Sequence, residues 1–239
     1  MRATDVIDVG DVSPHERFDG VYWVKFQDNS RRLATVNLSP GRSVYREQLV
    51  KFRGKEYRLW DAYRSKLAAA ILKGIKEVPI GPGRKVLYLG AASGTTASHI
   101  SDMLREEGAV FAVEFAQRTM RELIEQVCSQ RPNMSPILAD ARHPSAYRSL
   151  VPPVDAVYCD IAQPEQARIL ADNCDLFLKE AGSAMIAVKS RSVDVTMSPG
   201  AVFSQEKRTL VERGYRIIDA VRLEPYEKDH AMFVVRRES

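Results

Sequence analysis

No run of the sequence approaches the roughly 20 uninterrupted apolar residues that a membrane-spanning helix needs, so a membrane role is not expected. The opening residues, Met1-Arg-Ala-Thr-Asp-Val-Ile-Asp8, lack the apolar stretch of a secretory leader, and a cytoplasmic location is the expectation. Cysteine is scarce: Cys128, Cys159 and Cys174 are widely spaced and odd in number, with no CxxC pair and no Cys/His cluster. That pattern supports neither a disulfide framework nor a metal site, and the three read as reduced, small apolar residues. There is no GxxxxGK[ST] loop, which counts against ATP or GTP hydrolysis, and no internal repeat or low-complexity segment. A chain of 239 residues with 45% hydrophobic and 28% charged residues is ordinary for a globular protein. Its length suits one sizeable α/β domain, or a large domain with a small appendage.

What charge there is lies unevenly. Lys and Arg number 35 against 31 Asp and Glu, a net of +4. Between Arg31 and Lys66, however, ten basic residues face only Glu47, Glu56 and Asp61, so this window is +7 and the remainder −3. A solvated polar face is the plain reading of such a stretch. The other is an electrostatic footprint for a polyanion, which the interleaved Tyr45, Phe52, Tyr57, Trp60 and Tyr63 bring closer to nucleic acid.

The hydrophobic pattern divides the chain. Residues 1–60 read as short strands separated by turns: Gly20–Phe26 and Leu33–Asn37 are rich in β-formers, and Asp28-Asn-Ser30, Ser39-Pro-Gly41 and Arg53-Gly-Lys55 punctuate them. At Asp61 the period changes. Asp61 suits an N-cap, with a helix over Ala62–Ile75, and Val78-Pro-Ile-Gly-Pro-Gly83 then interrupts the pattern. From Lys85 onward apolar runs alternate with amphipathic helices: Lys85–Leu89, Ala109–Val113, Pro136–Ala139, Val154–Tyr158 and Ser183–Val188 are the strands. Helices are expected near 95–107, 116–129, 164–178 and 201–213. Such alternation specifies a mainly parallel sheet covered on both faces. Arg216–Val221 and Ala231–Val235 follow each other with no helix between, so they form an antiparallel hairpin at one side of it. The fold class is therefore α/β, Rossmann-like and mainly parallel with one antiparallel strand, over 61–239, preceded by a small antiparallel β domain over 1–60.

The first strand–helix junction is Gly90-Ala91-Ala92-Ser93-Gly94-Thr95-Thr96. Small residues there let backbone N–H groups approach a ligand at the helix N-terminus. Glu114 ends the second strand at the offset where an acid holds ribose hydroxyls, and Asp140 and Asp160 follow the third and fourth strands. Ligands of open α/β sheets bind beyond these strand ends, and three successive acids there point to a nucleotide or nucleoside site. Ala92 takes the place of the second glycine of GxGxxG, which weakens a dinucleotide and favours a ligand with no pyrophosphate, such as S-adenosylmethionine.

Gly90–Thr96, Ala112-Val-Glu-Phe115, Ala139-Asp-Ala-Arg-His-Pro144 and Asp160-Ile-Ala-Gln-Pro-Glu-Gln166 together resemble fibrillarin, the RNA 2′-O-methyltransferase of box C/D ribonucleoproteins. Arg64-Ser-Lys-Leu-Ala-Ala-Ala70 and Asp229-His230 are similar to further family motifs, and the resemblance runs from about Val21 to Val235. One departure is Asp61-Ala-Tyr63, where the family has Asn-Pro before an aromatic. No Gly/Arg-rich extension is present, which resembles the compact archaeal form. The resemblance implies S-adenosylmethionine as cofactor. The backbone of Gly90, Ala91, Ala92, Gly94, Thr95 and Thr96 would meet its methionine end, Glu114 its ribose and Phe115 its adenine. Asp140 and Ala141 would meet the polar edge of the base, and Asp160 with Gln163 the sulfonium side. It also implies Lys66, Asp160, Lys189 and His230 as the catalytic set. In it Lys189 acts as base or oxyanion-stabilising cation, Asp160 orients it, Lys66 holds ribose or phosphate, and His230 completes the hydrogen bonds. Implied acceptors are rRNA and tRNA. Implied partners are a box C/D guide RNA, a Nop-type scaffold protein and a kink-turn-binding ribosomal-type protein. Arg64, Arg142, His143 and Arg191 are candidates for phosphate contacts, which set position rather than sequence. The competing readings are a protein glutamine acceptor, a cofactor-binding subunit without transfer activity, and an NAD-dependent oxidoreductase.

Overall fold

The computed structural model describes residues 9–238, so the leader reading of Met1–Asp8 lies outside the described residues. The chain begins with β1 (Val9–Pro14), β2 (Val21–Phe26), β3 (Arg31–Val36), β4 (Leu49–Phe52) and β5 (Lys55–Leu59). They form an antiparallel sheet in the order β1-β2-β3-β5-β4. The expected small antiparallel sheet is present.

The helix expected over Ala62–Ile75 is shorter. Helix α1 spans Lys66–Leu72, and its N-cap is Ser65, whose hydroxyl accepts from the Ala68 N–H, rather than Asp61. Asp61 instead accepts from the Tyr63 N–H at 2.8 Å, closing a turn over 61–64 that holds this stretch out of the helix. At the other end the Gly74 N–H reaches the Ile71 carbonyl and the Ile75 N–H the Ala70 carbonyl. Gly74 has a φ of +83°, so this is a Schellman closure that propensity over a longer window does not reveal.

The remaining elements are β6 (Lys85–Leu89), α2 (Thr95–Leu104), β7 (Ala109–Glu114), α3 (Gln117–Gln126), β8 (Met134–Leu138), β9 (Val154–Cys159), α4 (Gln166–Phe177), β10 (Leu178–Lys189), α5 (Ser190–Val193), α6 (Pro199–Glu212), β11 (Tyr215–Arg222) and β12 (His230–Arg237). Helix α6 starts two residues earlier than expected. Ser198 caps it, and Pro199 takes the first helical position, where a missing N–H costs nothing. The sheet order is β11-β12-β10-β9-β6-β7-β8, and β12 alone runs against its neighbours, as the absence of a helix before it requires.

Alternate residues of the central strands serve two cores. Val86, Tyr88, Ala112, Tyr158 and Met185 face α1, α2 and α3. Leu87, Leu89, Val157, Ile186 and Phe233 face α4 and α6. The small sheet packs on the first core through Leu33 and Trp60 and through a buried polar junction with α2. There Asp102 receives Arg58 at 2.8 Å and Thr35 at 2.8 Å on one carboxylate oxygen, and Arg131 on the other. Glu47 takes the Arg58 Nε at 2.6 Å. Thr35 spends its one proton on Asp102, so it accepts from Nδ1 of His99 at 2.8 Å, leaving Nε2 to accept from the Tyr45 hydroxyl at 2.8 Å. Burial foremost, and then Arg58 and Arg131, hold His99 far below its usual pKa, so the imidazole is neutral.

Removing one member of such a junction leaves buried charge uncompensated. Asp102→Ala is expected to cost about 3–5 kcal/mol of unfolding free energy in urea, against under 1 kcal/mol if the junction is solvated.

Candidate active site

Strand order reverses between β6 and β9: from β6 the chain moves outward to β7 and β8, then returns to β9 and β10 on the other side. The chain segments that leave the carboxyl ends of β6 and β9 therefore run to opposite sides and border a crevice. Gly90 and Asp160 follow these two strands, so close that a Cβ on Gly90 would lie 2.6 Å from the Asp160 carbonyl oxygen. Gly90 has a φ of +80°, so both space and backbone require glycine here. A cavity of about 290 Å³ opens beside it.

Nine of the fifteen expected cofactor-binding and catalytic residues line this cavity, Gly90, Ala92, Glu114, Phe115, Asp140, Ala141, Asp160, Gln163 and Lys189, while Lys66 and His230 stand outside its lining. Ala91, Gly94, Thr95 and Thr96 do not line it either. They build the turn and the first turn of α2 behind it. Gly94 is closed in by Leu123 and Val127 of the α3 region, and Thr96 donates to the Ser65 hydroxyl at 3.0 Å, tying α2 to the cap of α1. Glu114 is buried, its carboxylate accepting from the Ala92 N–H at 3.0 Å and the Ala116 N–H at 2.9 Å. Each oxygen keeps a lone pair for a further donor, and the two bonds fix both turns that border the cavity. Phe115 stands 63% exposed at the rim, a free apolar face. Asp140 is clasped by Arg142, with Nη2 at 2.6 Å, and that hydrogen bond holds its carboxyl below the usual range. The guanidinium of Arg142 is thus committed to Asp140, and that of Arg191 to Asp229 at 3.1 Å.

The crevice also gathers charges from distant parts of the chain. Lys66, the first residue of α1, places Nζ 3.3 Å from one oxygen of Asp160. Lys189, the last residue of β10, places Nζ 2.9 Å from the other, off the line of a hydrogen bond, and 3.4 Å from the Asp160 carbonyl. The Asp160 side chain is only 12% exposed. Burial opposes its ionisation, and the two ammonium groups overcome that, holding its carboxyl below the usual range. His230 is the register partner of Lys189 across β10 and β12. Its Nδ1 donates to the Lys228 carbonyl at 2.6 Å, which leaves Nε2 free to accept when the ring is neutral.

Two contributors carry no mark in the sequence pattern. Glu227 lies 4.0 Å from Lys66 Nζ. Gln166, fully buried, accepts from the Lys189 N–H at 3.0 Å and donates to its carbonyl at 3.2 Å, pinning the strand end that carries the lysine. Glu227 is only near the Asp229-His230 motif and Gln166 closes the motif that starts at Asp160, and neither position assigns a role.

Comparisons with known proteins show the family. The fibrillarin family model matches residues 12–239. The chain belongs to the fibrillarin family. It is 55% identical over 232 residues to a Pyrobaculum aerophilum protein named fibrillarin-like rRNA/tRNA 2′-O-methyltransferase, covering 97% of this chain and 99% of that one. Among solved structures it is similar to Aeropyrum pernix fibrillarin with natively bound S-adenosyl-L-methionine, at 50% identity and a TM-score of 0.90, over 96% of this chain and 99% of that one. It is also similar to the fibrillarin of a fibrillarin/Nop5p complex, at 40% identity and a TM-score of 0.80, over 93% and 100%.

Because folding lowers the Asp160 pKa, the carboxylate contributes fully to stability above about pH 4 and loses that contribution as pH falls through the folded-state value. Asp160→Asn is expected to flatten the acid limb of unfolding free energy below about pH 4. Parallel curves for the two proteins would show that the lysines do not hold this carboxyl.

Proposed function

We propose that this protein is an S-adenosylmethionine-dependent RNA 2′-O-methyltransferase acting on rRNA and tRNA, within a particle whose box C/D guide RNA selects the nucleotide. The observation that carries the reading is the Lys66–Asp160–Lys189 cluster at the edge of the cavity beside Gly90. The names of the relatives support the acceptor, and the bound cofactor of the Aeropyrum pernix protein supports S-adenosylmethionine. The residues present fit that cofactor: the cavity is bordered by Gly90 and Ala92, which bring backbone close to it, Glu114 keeps acceptor capacity for ribose hydroxyls, and Phe115 offers an apolar face for the base. Gly90 to Thr96 would border its methionine end, Asp140 and Ala141 the polar edge of the adenine, and Asp160 with Gln163 the sulfonium side.

When bound, the cofactor supplies an activated sulfonium methyl, so the protein's task is to align a ribose hydroxyl and help it lose its proton. A ribose hydroxyl is a poor acid. Ammonium groups that flank it stabilise the charge developing on its oxygen, and they do so best when fixed in advance. Asp160 provides that fixation, Gln166 holds the Lys189 backbone, and the Ser65 cap holds the start of α1 under Lys66. Lys189 acts as base or as oxyanion-stabilising cation, Lys66 holds the ribose or the adjacent phosphate, and His230 completes the hydrogen bonds. The fibrillarin/Nop5p complex supports a Nop-type scaffold as partner. A guide RNA and a kink-turn-binding ribosomal-type protein complete the proposed particle.

The decisive experiment is transfer of labelled methyl from S-adenosylmethionine to a guide-paired RNA in the assembled particle, beside a target lacking the 2′-hydroxyl at the chosen nucleotide. Label on the ribose target alone is expected; equal label on both would move the acceptor to a base or a protein side chain. Lys189→Ala should lower transfer at least 100-fold while cofactor affinity changes little, in line with the removal of one positioned acid–base or oxyanion group. Glu114→Ala should instead raise the dissociation constant for the cofactor about tenfold or more, as expected when a charged hydrogen-bond acceptor is removed, measured by calorimetry. An unaltered constant would displace the ribose from Glu114.

A further inference from the structure

Helix α4 starts without a cap of its own. Glu165 stands at its N-cap position and makes no capping bond; its carboxylate lies on Arg168 at 2.6 Å and 2.9 Å. The second helical residue, Ala167, donates its N–H instead to Glu206 of α6 at 2.8 Å, 39 positions further along the chain. We propose that Glu206 is a positioning residue for methyl transfer: it caps α4 from the neighbouring helix, and so sets the loop that carries Asp160 and, through Gln166, the strand end that carries Lys189. The inference rests on the RNA-methyltransferase reading.

Glu206 is buried, at 4% exposure, between α6 and α4. It meets no cation among the described residues. Burial pushes its carboxyl above the usual range, and the Ala167 N–H is the one group that draws it back. An isolated buried acid is unfavourable. Phe203 and Leu210 of the same helix pack against the α4 side of the core with apolar side chains and incur no such penalty. What the carboxylate adds is an acceptor at the start of α4, where N–H groups have no partner within the helix and the helix dipole favours negative charge.

The place of this helix end governs the reacting groups. The chain leaves β9 at Asp160, whose N–H donates to the Leu89 carbonyl at 2.9 Å, and enters α4 at Gln166. Between these points Asp160, Ile161, Ala162 and Gln163 all line the crevice. One end of the loop is thus fixed by the sheet and the other through α4. Gln166, the first helical residue, exchanges two hydrogen bonds with the Lys189 backbone. Residues 166 and 167 therefore fasten α4 on two sides, to β10 by a side chain and to α6 by backbone. The Gln166 amide can hold Lys189 in place only while its own backbone does not drift. A displacement of about 1 Å in a reacting group can lower a rate on the order of 100-fold. Glu206 does not line the crevice, so it acts through α4 and not on the ligand.

The test compares Glu206→Ala, Glu206→Gln and Leu210→Ala in the full chain. Alanine removes the acceptor, and glutamine keeps an acceptor oxygen on a side chain of the same length. Leu210→Ala loosens the packing of α6 and leaves the cap in place. The first readout is hydrogen exchange of the Lys189 amide, which Gln166 accepts, taken relative to the core amides of β12. Glu206→Ala should speed it at least about tenfold, while Glu206→Gln and Leu210→Ala stay within about threefold of the unaltered chain. The second readout is single-turnover methyl transfer at saturating cofactor in the assembled particle, per folded enzyme. Glu206→Ala should lower it about 10- to 100-fold, and Glu206→Gln should restore it to within about threefold. Adding Gln166→Ala to Glu206→Ala should lower it little further, because both act through one helix end, whereas independent effects would multiply.

An unchanged Lys189 amide or unchanged transfer in Glu206→Ala would overturn the proposal. So would equal losses in Leu210→Ala, which would make the role one of stability, or a glutamine that restores nothing, or losses that multiply. Each of these leaves the methyltransferase reading intact, since the unaltered chain is active in all of them. No transfer to the 2′-hydroxyl by the unaltered chain in the particle would overturn that reading, and the proposal with it.

Discussion

One negative charge, on Asp160, sits at the point where the sheet reverses direction, and two lysines from opposite ends of the fold balance it. A carboxylate this little exposed would be costly alone. Its neutralisation requires the first residue of α1 and the last of β10 to converge on the end of β9, which links the helix over one face of the sheet to the strand that runs beside β12. The same convergence sets two ammonium groups at one side of the crevice before any ligand arrives.

The small N-terminal sheet is fixed by a different device. Arg58, Asp102, Glu47 and Arg131 form a buried junction in which charged groups satisfy each other and a neutral His99 bridges two hydroxyls. Two fully buried arginines are tolerable only because each meets a carboxylate with good geometry. The junction orients the small sheet on α2, whose N-terminal turn is in turn tied to α1 through Thr96 and Ser65. The basic window of the small sheet is thereby held at a defined place beside Lys66 instead of on a loosely tethered appendage.

The sequence pattern anticipates the larger elements well, and its misses share a physical cause. Strand β6 begins and ends where the apolar run predicts, because a buried parallel strand must be apolar on both faces. The ends of α1 and α6 are decided by hydrogen bonds at single residues: Ser65 outcompetes Asp61 as cap, and Pro199 opens a helix at the one position that accepts it. Gln166 is invisible for another reason. A glutamine within a motif carries no mark of the backbone, 23 residues on, to which it bonds.

Period, composition and the strand-end acids were enough to establish an α/β sheet with a nucleoside-type crevice, because local periodicity and turn chemistry are properties of neighbouring residues. The motifs around Gly90, Glu114, Asp140 and Asp160 were enough to indicate the family, since each occupies the end of a strand that the pattern already located. What they could not convey is which distant charges meet. That Lys66 and Lys189 bracket one carboxylate, that Arg142 spends itself on Asp140, and that Arg31, Arg32, Arg46 and Arg64 line one cavity all depend on side chains brought together across the fold. Pairing of charges depends on distance and burial, and only tertiary structure sets either.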